Sequence, residues 1–102
     1  MVYNKLVRDR IPEIIAQSGG RAEIRTLQDQ EFLTYLEAKL DEEAAEFHRD
    51  KNAEELADLL EVIYALADAI GCDREQLTEI YQKKHAARGG FDKRILLITS
   101  EK

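Results

Sequence analysis

The chain has 102 residues, a formal net charge of −6 and a single cysteine, Cys72. That length suits one domain, 1–102, with a core but little room for a deep private pocket. The acidic balance excludes general nucleic-acid binding, which needs a basic surface; the lone cysteine excludes an internal disulfide framework and fits a reducing cytoplasm; and no stretch is apolar and long enough for a membrane span or a signal peptide.

Residues 1–20 open with a short extended or irregular piece carrying Lys5, Arg8 and Arg10. Pro12 is tolerated only near a helix start, so a short helix is expected from Asp9 or Ile11 to Gln17, stopped by Ser18, Gly19 and Gly20, with Ile11, Ile14 and Ile15 as its buried edge. Lys5 and Arg8 have two readings, as solubilising charges or as ligands for a phosphate. Residues 21–27 alternate Ala22, Ile24 and Thr26 against polar neighbours, a strand pattern. Its one β-like partner is 94–99, RILLIT, so a short two-stranded ribbon is expected between these segments.

The next helix should run over 30–49, capped by Asp29. Its apolar stripe of Leu33, Leu36, Leu40 and Phe47 lacks one member, and Glu43 stands in that seam position. Asp50, Lys51 and Asn52 break the pattern. A third helix begins at Asn52 or Ala53 with Asn52 as cap, ends at Gly71, and is apolar around most of its circumference, which makes it the central helix. At about 100° per residue, Glu54, Glu61 and Asp68 form its water-facing edge, whereas Glu55 falls about 120° and Asp58 about 60° from that edge, beside Val62, Leu66 and Ala69. The fourth helix starts at Asp73, with Glu75 and Gln76 in its first turn, and runs to about Ala87 before Gly89 and Gly90.

A basic stretch follows, holding Lys83, Lys84, Arg88, Lys93 and Arg94. It reads equally as cations favoured at a helix C-terminus and as a glycine-jointed flap over a polyphosphate. His48 and His85 have no second histidine at ligand spacing and read as surface residues. Tyr64 and Tyr81 read as core or interface aromatics. The expected fold is therefore mainly α, a helical bundle whose broad apolar faces are completed by forming a homodimer or higher homo-oligomer.

The chemistry lies in two acidic sets, Glu42-Glu43-x-x-Glu46 and Glu55-x-x-Asp58. Residues three or four apart share a helix face, and the break at 50–52 lets the two faces meet. Carboxylates turned toward an apolar interior repel each other and resist ionisation unless a cation neutralises them. Oxygen-only donors favour a hard ion, Mg²⁺ or Mn²⁺, over zinc. Because Mg²⁺ commonly meets phosphates, a phosphoanhydride reaction is the expected chemistry.

This motif pair resembles the signature of the all-α nucleoside triphosphate pyrophosphohydrolases, which include MazG-type enzymes and phosphoribosyl-ATP pyrophosphohydrolase. The opening YNKLVRDRIPEII and the late RGGFDKRI look like a small single-domain house-cleaning branch, so the likeness spans nearly the whole chain. It implies a Mg²⁺-binding oligomer that cleaves nucleoside triphosphates, non-standard ones in particular, to the monophosphate and pyrophosphate. By motif position it implies Glu43, Glu46, Glu55 and Asp58 as metal ligands and Glu42 and Glu43 as catalytic acids, Glu42 orienting water or supporting a ligand. Lys5, Arg8, Lys84 and Arg88 are then the candidate phosphate-binding residues. The eight residues between Glu46 and Glu55 are fewer than most of the family has, and call for a tight reversal. Two alternatives share the same sequence features: phosphoribosyl-ATP hydrolysis, and a non-catalytic helical module that docks a basic partner on its acids.

Overall fold

The structure, a computed structural model, describes residues 3–101. The extended start expected at Met1 and Val2 lies outside the described residues. Four helices follow in order: α1 (Ile11–Gln17), α2 (Asp29–Asp50), α3 (Ala53–Ala69) and α4 (Arg74–Arg88). Pro12 sits in the first turn of α1, where its missing N–H is not needed.

Local signals set most of the ends. The Asn52 side chain accepts a hydrogen bond from the Glu55 backbone N–H at 3.0 Å and starts α3. Asp73 and Gln76 form a reciprocal capping box at α4, each side chain accepting from the other's backbone N–H at 2.9 Å. Gly71, at φ 85°, turns the chain between α3 and α4. Between α2 and α3 a non-glycine residue does the same work: Lys51 sits at φ 48°, its N–H donating to the Phe47 carbonyl at 2.7 Å and its ammonium to the His48 carbonyl at 2.6 Å. At the start of α2 the expected cap is corrected. Asp29 is already helical, and Gln28 occupies the cap position without a side-chain bond.

The helices α2 and α3 pack against each other as a hairpin, and α4 meets only α3, so α3 is central as its apolar circumference requires. Leu36, Val62 and Ala67 are the buried apolar residues of this core, with Leu33, Leu40, Phe47, Leu59 and Leu66 half-buried around them. Ala69, expected on this face, is exposed. The helix α1 is not packed on the others; Ile14 is exposed while Ile11 and Ile15 are only half-buried, so the buried edge expected there does not form.

No strand forms among the described residues, which corrects the expected two-stranded ribbon. Residues 21–27 run irregularly, held to α2 by Arg25, whose guanidinium donates to both carboxylate oxygens of Glu31 at 2.9 and 3.1 Å. Residues 94–99 are solvent-exposed. An alternating pattern supplies a β face but not the layer that must cover it, and a lone pair of strands is marginal without one.

The result is open rather than closed on itself. Its radius of gyration is 17.9 Å, against about 13 Å for a compact chain of this length. Its accessible surface of 9501 Å² exceeds by about 3,600 Å² the roughly 5,900 Å² of a compact 11.7 kDa monomer. No helix of the described residues is long and apolar enough to cross a membrane.

Candidate metal centre

The stripe that packs α2 on α3 contains acids as well as aliphatics. Successive turns of α2 present Leu36, Leu40, Glu43 and Phe47, and Glu43 is only 6 % exposed. On α3 the facing stripe is Glu55, Asp58, Leu59, Val62 and Leu66, all buried or half-buried. Glu54, Glu61 and Asp68 are exposed, as the helical period requires. The tight reversal at Lys51 brings the two acidic sets together. One carboxylate oxygen from each of Glu43, Glu46, Glu55 and Asp58 falls in a group whose members all lie within 4.8 Å of one another.

The electrostatics of this group are unfavourable without a cation. Burial pushes the Glu43 carboxyl up from its ordinary value, the adjoining Glu46 carboxylate pushes it further, and Asp58 adds to this while Lys39 opposes it. Glu55 is raised in the same way, by desolvation and then by Glu46, Asp50 and Asp58. Glu43 Oε2 and Glu55 Oε2 are buried and have no hydrogen-bond partner. Orphaned buried acceptors of this kind are rare in folded proteins and costly. Both belong to the four-carboxylate group, and the donors around the gap are oxygens alone. Oxygens on opposite sides of one small hard ion stand roughly 4.2 Å apart, so the observed spread needs only a small side-chain adjustment. The four residues fit a metal ion.

Three cations rim the cluster. Lys39, one turn before Glu43, places its ammonium 3.3 Å from Glu42 Oε2 and 3.5 Å from Glu43 Oε1. Lys5 reaches Glu42 Oε1 at 3.1 Å, and Arg8 reaches Asp58 Oδ1 at 2.6 Å and Glu61 Oε1 at 3.7 Å. At Glu42 desolvation resists ionisation, but the hydrogen bond from Lys5 and the charge of Lys39 outweigh it and hold the carboxyl below its ordinary value. Glu42 and Glu43 are thus neighbours with opposite tendencies, one kept ionised by lysines and one pushed toward its neutral form. Lys39 was not among the residues singled out from the sequence, although its spacing of three and four from Glu42 and Glu43 was the available signal.

The structure brings Lys5 and Arg8 to the acids; Lys84 and Arg88 are elsewhere. Those two are exposed on α4 and make no ion pair among the described residues. Arg88 instead lines a cavity of about 230 Å³ with Gly90, Phe91, Lys93, Arg94 and Ile95, where the chain turns after α4. His48 and His85 are exposed, and His85 lies beside Tyr81, with ring centroids 5.8 Å apart. Tyr64 is half-buried beneath the Arg74 guanidinium at 3.9 Å.

No family model matches the chain, and no solved structure does. An uncharacterized protein of Mycolicibacterium smegmatis is 62 % identical over 42 residues, 41 % of this chain and 43 % of that protein. The chain therefore covers less than half the length of the curated relative it matches.

Proposed function

We propose that this chain is a Mg²⁺-dependent nucleoside triphosphate pyrophosphohydrolase of the MazG-like all-α type, cleaving non-standard triphosphates to the monophosphate and pyrophosphate. The observation that carries this reading is the convergence of Glu43, Glu46, Glu55 and Asp58 with two of their oxygens buried and unpartnered. A set of carboxylates without nitrogen or sulfur favours Mg²⁺ or Mn²⁺ over softer metals, and the resemblance of both motifs and both flanking segments to that superfamily supports the substrate class.

Glu43, Glu46, Glu55 and Asp58 would hold the ion, which when bound supplies charge neutralisation for a polyphosphate and activation of water. Glu42, kept ionised by Lys5 and Lys39, is suited to orient the attacking water by accepting its hydrogen bond, and the water's proton passes to solvent. Lys5 and Arg8 neutralise acids at the rim and are half-exposed, so they can turn from carboxylate to phosphate when a triphosphate arrives. Attack at the α-phosphorus breaks the α–β anhydride bond, and pyrophosphate leaves with its charge met by these cations. A homo-oligomer is the proposed assembly, supported by the surface excess, and the cytoplasm the proposed setting, supported by the free thiol of Cys72.

The test is a pyrophosphate-release screen over standard and damaged nucleoside triphosphates, and phosphoribosyl-ATP, with Mg²⁺, repeated with Glu43→Gln and Asp58→Asn. Release by the parent and a loss on the order of 100-fold or more in each variant is the expected result. Variants equal to the parent would remove these acids from the site. Release from phosphoribosyl-ATP alone would reassign the substrate, and release from none would return the acids to a docking role.

A further inference from the structure

Two apolar features of this chain lack a partner, and they match each other. The first is the arm that follows α4. Residues 91–101 are all exposed, and Ile95, Leu96, Leu97 and Ile98 form an unbroken aliphatic run with exposures of 75–85 %. The second is the cleft where α4 diverges from α3, a cavity of about 320 Å³ lined by Leu60, Ile63, Tyr64, Leu77, Thr78 and Tyr81. Its walls are aliphatic and aromatic side chains, three of which (Tyr64, Thr78 and Tyr81) carry a hydroxyl, and Leu60, Ile63 and Tyr81 remain 40–63 % exposed.

We infer that the arm of one copy lies in the α3–α4 cleft of a second copy, and reciprocally, so that this chain is an arm-exchanged dimer. The inference is independent of the reading of the acidic site. Two observations support a second copy as the occupant. The surface left open exceeds that of a compact monomer by about 3,600 Å², several times the roughly 800 Å² per partner of an ordinary interface. The arm also leaves α4 through a glycine pair and a turn closed by the Arg94 N–H donating to the Phe91 carbonyl at 3.1 Å, with Arg94 at φ 57°, and among the described residues it makes no hydrogen bond or ion pair with its own α3 or α4. An exchanged arm covers both unpartnered surfaces in each copy through one symmetric interaction.

The experiment uses the full chain with Cys72→Ser. Leu97→Cys is made in one population and Tyr81→Cys in another, with Leu60→Cys as a second cleft position for a different docking register; all three sites are exposed, so the fold should tolerate them. Mild oxidation of the mixture should give a disulfide-linked dimer containing one arm variant and one cleft variant, identified by mass spectrometry. The same pair placed in one chain at high dilution should give little internal disulfide. In sedimentation, Leu96→Asp with Leu97→Asp should raise the dimer dissociation constant at least ten-fold. A monomeric parent, an internal arm-to-cleft disulfide at high dilution, or a dimer that neither forms the mixed disulfide nor responds to the arm charges would each overturn the exchange.

Discussion

The α2–α3 hairpin and the α4–arm half of the chain are both amphipathic, yet they end in opposite states. In the hairpin, apolar stripes of similar width meet across a two-residue reversal at Lys51 and Asn52, and their contact is close enough to carry Glu43 inside with Leu36 and Val62. In the other half, Ile80, Tyr81 and the aliphatic run of the arm are as apolar and remain exposed. The difference is one of proximity. A stripe whose complement lies one tight turn away is covered at low entropic cost, whereas a stripe whose complement belongs to another molecule waits for association.

The largest test of this contrast is truncation of equivalent aliphatics. Leu36→Ala, at 3 % exposure, should cost about 2–5 kcal/mol in urea unfolding, whereas Ile80→Ala, at 49 %, should change the stability of the dilute protein by roughly 0.5 kcal/mol or less. Equal losses would mean that the two halves are packed alike.

A second test concerns the acids that the hairpin carries inside. Mg²⁺ at about 100 times its dissociation constant should stabilise the parent by roughly 2.7 kcal/mol, and Glu43→Gln should largely abolish that gain while leaving the ion-free protein at least as stable at pH 7. Calorimetry with and without Mg²⁺ reads both effects.

Titration sharpens the same point. Glu43 and Glu55 hold protons more tightly in the folded, ion-free protein than in the unfolded chain, so their contribution is fully present below the ordinary value of 4.5 and is lost as pH rises through their raised folded values. Glu42 and Glu31 are shifted the other way, and their contribution is lost as pH falls below that same ordinary value. The ion-free protein should therefore melt at a higher temperature at pH 5 than at pH 7, and Mg²⁺ should reverse that slope. A melting temperature that rises steadily from pH 5 to pH 7 without metal would contradict the burial of these acids.

The smallest effects come from the reversal that makes the hairpin possible. Asn52→Ala should cost about 1 kcal/mol by removing the cap of α3, and Lys51→Gly should stabilise by about 1 kcal/mol, because glycine adopts the left-handed backbone at φ 48° without strain. If Lys51→Gly is destabilising, the bond from its ammonium to the His48 carbonyl outweighs the strain.

By itself the sequence determined what depends on neighbours along the chain: the caps at Asn52 and Asp73, the stop at Gly71, the exposed edge of Glu54, Glu61 and Asp68, and the placing of Glu43, Glu46, Glu55 and Asp58 on facing stripes. Helical period and cap chemistry act over a few residues, and so short a reversal leaves two helices little choice but to face each other. Only the tertiary structure decided which distant cations meet the acids, since Lys5 and Arg8 lie 37 and 50 residues from their partners. It also decided that residues 21–27 and 94–99 stay unpaired despite their alternating or aliphatic patterns. Both outcomes depend on where distant segments come to rest, and a local pattern states what a segment could bury without stating what will be there to cover it.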